Sequence, residues 1–170
     1  AVVFDPSPTT PFSRADADPQ VWARASGIEI MLQPGDFSDN RDYFEIQVDV
    51  GGALWDTRFD DYNRPISGGP DDASKRFGHQ DWQSRAERAI GRERDRYVVE
   101  LSIPWSALAT SRAPAAPLAG DRWRANFYSF RDGQADALAW SPQLGQGNFH
   151  RSARFGKLLR GPGTRPGHSR

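Results

Sequence analysis

Two aromatic side chains occupy places where a core ring is not expected. Trp22 ends the polar stretch Asp16-Ala17-Asp18-Pro19-Gln20-Val21-Trp22, and Phe149 lies within Gly145-Gln146-Gly147-Asn148-Phe149-His150. Large flat side chains on loops, beside polar strand faces, are how proteins grip sugars. The rings stack on pyranose C–H faces while carboxylates and amides bind the hydroxyls. A second group, Asp36-Phe37-Ser38-Asp39-Asn40-Arg41-Asp42, brings the oxygen ligands Asp36, Asp39, Asn40 and Asp42 close together in the chain. Hard cations such as calcium take ligands of that type. The spacing is not that of an EF-hand, and the alternative is a solvated, Asx-rich turn.

Catalytic patterns are missing. A glycosidase needs an acid of raised pKa facing a second carboxylate across the cleavage point. Glu29 and Glu45 can lie on adjacent strands, but they read as surface or ligand-binding carboxylates. There is no G-x-S-x-G elbow for a serine nucleophile. Gly68-Gly69 lacks the lysine and following helix of a phosphate loop. The absence of cysteine excludes disulfides, thiolate zinc sites and a cysteine nucleophile. Three histidines, His79, His150 and His168, leave little room for a polyhistidine metal site. The sequence therefore predicts a non-enzyme with no catalytic residues and no required cofactor.

The elements that must position these residues are strands. Phe44, Ile46, Val48 and Val50 alternate with Glu45, Gln47 and Asp49, the pattern of a half-buried strand. Gly51-Gly52 supplies a turn into a hairpin partner over residues 53–59. Further strands are predicted around Ile28-Ile30-Leu32, over 97–103, over 123–130 and over 155–159, with 85–90 as a weaker edge strand. On the strand through Ile28, Glu29 and Met31 point away from the core face, alongside Glu45 and Gln47. Pro104 to Leu108 reads as a short helix opened by proline. Most of the tryptophans, Trp105 and Trp123 among them, are expected in the core. Segments 34–42, 60–81, 110–121 and 141–154 are rich in Gly, Pro, Asp and Asn and read as loops. Strands alternating with turn-rich loops predict an all-β, antiparallel β-sandwich.

Composition sets the frame. The chain has 170 residues, 37% of them hydrophobic, with 22 basic and 22 acidic side chains. That suits one domain over residues 1–160, followed by a tail or linker over 161–170. The balanced, interspersed charge lacks the basic stripe of a nucleic-acid binder. A mean hydropathy of −0.72, with no long apolar run, excludes a helical membrane span. No basic segment followed by an apolar stretch marks a signal peptide.

Trp22 is followed by Ile28-Glu29-Ile30-Met31-Leu32, Asp42-Tyr43-Phe44-Glu45-Ile46-Gln47-Val48 and Leu54-Trp55-Asp56. Tyr97-Val98-Val99-Glu100-Leu101-Ser102-Ile103-Pro104-Trp105 and Gly120-Asp121-Arg122-Trp123-Arg124-Ala125-Asn126-Phe127 come next. Ala139-Trp140-Ser141-Pro142, Asn148-Phe149-His150 and Phe155-Gly156-Lys157-Leu158 complete the series, over roughly residues 20 to 160. This order of motifs resembles a family 9 carbohydrate-binding module of the DOMON-like superfamily.

That resemblance implies a non-catalytic sandwich, of jelly-roll or immunoglobulin-like build, in an exported (extracellular or periplasmic) multidomain protein. Its partners would be mono- or oligosaccharides or polysaccharide ends. Trp22 and Phe149 match the two aromatics that clamp a terminal ring, Phe149 standing where the family usually has Trp. Glu29 matches the strand Glu that accepts hydroxyl bonds. Gln47 and Asp49 match a polar strand pair, where the best-known members carry Arg and Asn. Asn126, Tyr128 and Gln146 match further cleft positions. Family members usually open with one or two strands more than this chain has, which implies an excised piece or an edge strand supplied by a partner. Related DOMON sandwiches bind haem b through Met and His, so Met31 and His150 define an alternative, an electron-transfer domain. A structural or assembly domain with a vestigial cleft is the third reading.

Overall fold

The computed structural model describes residues 1–68, 75–114, 116–132, 137–145 and 148–162. The expected tail from residue 163 onward and Gln146 lie outside these. Among the described residues, nine strands form two antiparallel sheets: β1 (Val2–Phe4), β2 (Gly27–Gln33), β3 (Arg41–Asp49), β4 (Leu54–Asp61), β5 (Glu87–Arg92), β6 (Arg96–Ser102), β7 (Arg122–Phe130), β8 (Leu138–Ala139) and β9 (Gly156–Leu159). The smaller sheet has the order β1-β6-β5, so β5 is the edge strand its weak pattern suggested. The larger runs β4-β3-β2-β7, and β8 and β9 both pair with β7.

Alternation produces this arrangement directly. Ile28, Ile30 and Leu32 of β2, with Phe44, Ile46 and Val48 of β3 and Trp123 and Ala125 of β7, meet Tyr97 and Val99 of β6 in the core between the sheets. A Val, Leu, Ile or Phe side chain among these contributes about 1.5–3 kcal/mol when fully buried. Gly51 and Gly52 join β3 to β4. Gly52 has φ +90°, a conformation that glycine takes without a Cβ penalty.

Three expectations change. β3 is not half-buried: Glu45 and Gln47, on its outer face, are 4% and 1% exposed. Loop segments fold back over that face. The helix after Pro104 is a single 3-10 turn, Trp105–Leu108. Trp105 is 47% exposed rather than in the core, because it meets Trp123 edge-on from outside, with ring centroids 5.6 Å apart. The strands β1 and β8 were not foreseen, since three and two residues are too few to display a period.

Candidate functional site

The outer face of the larger sheet forms the floor of a cleft of about 790 Å³. Register decides which side chains meet there. Glu29 of β2 pairs with Gln47 of β3, and Met31 pairs with Glu45. Glu29 and Glu45 are therefore diagonal neighbours on one face, with Gln47 beside both. The Gln47 amide nitrogen donates to Glu29 Oε2 at 2.9 Å and to Glu45 Oε1 at 2.6 Å. Gln47 Oε1 accepts the backbone N–H of Trp22 at 3.0 Å. This last bond fastens the 3-10 turn Val21–Ala23 above the floor and leaves the Trp22 ring 57% exposed.

Burial dominates the electrostatics. It pushes the Glu45 carboxyl up to about 7 and, together with the Glu45 charge, raises Glu29 well above the usual carboxylate range. Two buried carboxylates this close cannot both ionise cheaply. His150 borders them, its Nε2 3.7 Å from Glu45 Oε2. Burial lowers the imidazole to about 3, so the ring is neutral and makes no ion pair. Its Nδ1 lies 2.7 Å from the Tyr43 hydroxyl. That phenol is held protonated by burial and donates to Nδ1, which places the ring proton on Nε2, toward Glu45. Tyr62 stacks on the imidazole, with centroids 3.8 Å apart.

Of the residues singled out in the sequence, Trp22, Glu29, Gln47 and Phe149 line the cleft together. Asn126 and Tyr128 do not. Asn126 donates to Ser141 O and accepts from Ser141 N, both at 2.8 Å, and Tyr128 OH accepts from Asn126 and Gln143. The Tyr128 ring stacks under Phe149, with centroids 4.2 Å apart. The two residues thus hold up the segment that carries Phe149. Asp49 is also spent elsewhere: its Oδ1 accepts from the Gly51 and Ala53 N–H groups at 2.8 Å each, closing the β3–β4 turn. Glu45, Tyr62, Phe77 and Asn148 join the lining without having been assigned to it. Glu45 could have been found from its alternation with Gln47. Tyr62 and Phe77 lie in a long loop whose return over the sheet leaves no local signal.

The acidic loop before β3 does not form a cation cage. Asp36 pairs with Lys157 and with Arg124, each at 2.9 Å. Arg112 bonds both Asp39 and Asp42. Asn40 Oδ1 accepts from the Ser152 N–H and hydroxyl. Protein cations thus meet Asp36, Asp39 and Asp42, Ser152 holds Asn40, and no group of three His, Asp or Glu side chains placed to hold a metal exists among the described residues. The Met31/His150 pair does not fit a haem either. Met31 is fully buried with Tyr43, Phe59, Tyr128 and Phe155, away from the cleft lining, while His150 is bonded to Tyr43 and covered by Tyr62.

The architecture is similar to solved structures. A candidate carbohydrate-binding protein from Bacteroides uniformis has TM-score 0.58 at 21% identity, over 94% of this chain and 68% of that one. A family 9 carbohydrate-binding module from Caldicellulosiruptor kristjanssonii in complex with glucose gives 0.56 at 16% identity, over 96% and 70%. One from the same organism in complex with cellotriose gives 0.50 at 17% identity, over 94% and 67%. No family profile and no curated protein matches the sequence. The chain thus has the β-sandwich fold of family 9 carbohydrate-binding modules.

Proposed function

We propose that this chain binds carbohydrate without transforming it, taking a terminal sugar ring into the cleft above β2 and β3. One observation carries the reading: a buried Glu29–Gln47–Glu45 floor is bonded to the turn that presents the exposed ring of Trp22. Trp22 and Phe149 offer apolar faces to the C–H side of a pyranose, and the floor accepts hydroxyl hydrogens. The fold shared with sugar-binding modules agrees with this.

The same floor argues against glycoside hydrolysis. A single amide nitrogen bonds both carboxylates, so it fills the space between them that a scissile bond or attacking water would need. The domain would then serve an exported, multidomain protein by holding it on polysaccharide, outside the cell or in the periplasm. One sugar ring buries little area, so a dissociation constant from micromolar to millimolar is expected, about −8 to −4 kcal/mol.

Tryptophan fluorescence during titration with glucose, xylose and cellobiose tests the reading. A saturable shift supports it; a flat signal, with calorimetry also silent to millimolar sugar, overturns it and favours the vestigial-cleft alternative.

A further inference from the structure

A sugar hydroxyl donates and accepts, but the Gln47 amide on the floor of this cleft has neither left to offer. Both amide hydrogens of Gln47 are taken, by Glu29 and by Glu45, and its oxygen is taken by Trp22. What is left for a ligand is carboxylate oxygen, including Glu29 Oε1, which is buried and has no hydrogen-bond partner. The groups whose charge and bonds act on the two carboxyls are each other and Gln47, with no lysine or arginine among them. The rings of Trp22, Trp55, Phe59, Tyr62 and Phe149 surround the same space. Two carboxyl groups that become acceptor-only on ionising, set beneath aromatic faces, suit an ammonium group. It has three donors and no acceptor, its bonds to carboxylates are charge-assisted, and ring faces attract it.

Building on the carbohydrate reading of this cleft, we infer that its ligand carries a primary amine: an amino sugar with an unsubstituted nitrogen, whose ammonium sits against Glu29 and Glu45. Without such a cation the carboxyls hold their protons below neutral pH, because burial penalises the charged form of each. The arriving ammonium keeps its own three protons and meets carboxylate oxygen as those acid protons leave to solvent, so binding below neutral pH releases protons. The other titratable groups near the pair do not supply them. His150 is neutral, and burial keeps the phenols of Tyr43, Tyr62 and Tyr128 protonated. Lys75 and Arg76, from the segment before β5, also line the cleft.

The test is calorimetry on the full chain at about pH 6, with glucosamine, N-acetylglucosamine and glucose, in two buffers of different ionisation enthalpy. Glucosamine is expected to bind about tenfold tighter than glucose. N-acetylglucosamine, which lacks the charge, should gain nothing. Only the glucosamine enthalpy should change with buffer, by at least about one proton's worth. Glu29→Gln keeps an oxygen for the Gln47 amide and should bring glucosamine down to the level of glucose with no proton release. Glu45→Gln is the second variant, and melting curves confirm that both fold. Glucose binding as tightly as glucosamine overturns the inference and leaves the carbohydrate reading in place. Silence with all three sugars overturns both.

Discussion

Gln47 holds Trp22 by the backbone and not by the ring. Its side-chain oxygen accepts the Trp22 N–H at 3.0 Å, while its amide hydrogens reach Glu29 and Glu45. Floor and rim are therefore one network. The platform at Trp22 can lose its side chain without disturbing that network, but the network cannot lose Gln47.

Trp22→Ala is accordingly a clean separation of binding from stability. The backbone bond persists and the lost ring is largely exposed, so the melting temperature should move by no more than about 2 °C. Sugar affinity should fall at least about tenfold, since aromatic faces supply most of the apolar contact. Retained affinity measured by calorimetry would contradict the stacking role.

Gln47→Leu should do both kinds of damage. It removes the donors from two buried carboxylates and frees the Val21–Ala23 turn. Urea titration should record a loss of about 2–4 kcal/mol, and binding should be lost with it. A stable variant with full affinity would contradict the network.

Stability should respond to pH from both sides. His150, lowered to about 3, is neutral when folded but charged when unfolded below its ordinary value, so its contribution is lost as pH falls from about 6.5 toward 3. Glu45, raised to about 7, has the opposite sign. The folded state keeps its proton while the unfolded state gives it up, so stability declines as pH rises from about 4.5 to 7. Urea midpoints across pH 3.5 to 8 should show His150→Gln flattening the acid limb and Glu45→Gln the neutral one. Unchanged limbs in both variants would refute these environments.

The loop over residues 34–42 is fastened by Arg112, which bonds Asp39 and Asp42 and lies 4.1 Å over the Phe37 ring. Arg112→Ala should cost about 1–2 kcal/mol by urea titration. Millimolar calcium should leave the melting temperature of the parent chain unchanged. A rise with calcium would show that the ion displaces these cations.

Much of the fold was legible because β2, β3, β6 and β7 alternate cleanly, and the same period placed Glu29 and Gln47 on one outward face. It could not say what covers that face. Asn126, Tyr128 and Asp49 also project away from the core, but hydrogen bonds to loops and turns occupy them. Those partners depend on how the connecting segments return over the sheet. Arg112 reaches the acidic residues from 70 positions beyond Asp42, a distance at which no sequence pattern connects the two. Tyr62 and Phe77 reach the cleft from an irregular loop, where hydrophobic period carries no information.

The most direct test of the carbohydrate cleft is a 15N-HSQC titration of the chain with cellobiose and with glucosamine. The account predicts saturable shifts concentrated at the Trp22 backbone and indole N–H, the Gln47 side-chain amide and the His150 backbone amide, with the β3–β4 turn at Asp49 unmoved. Saturable shifts centred elsewhere, or none at any of these positions, would contradict it.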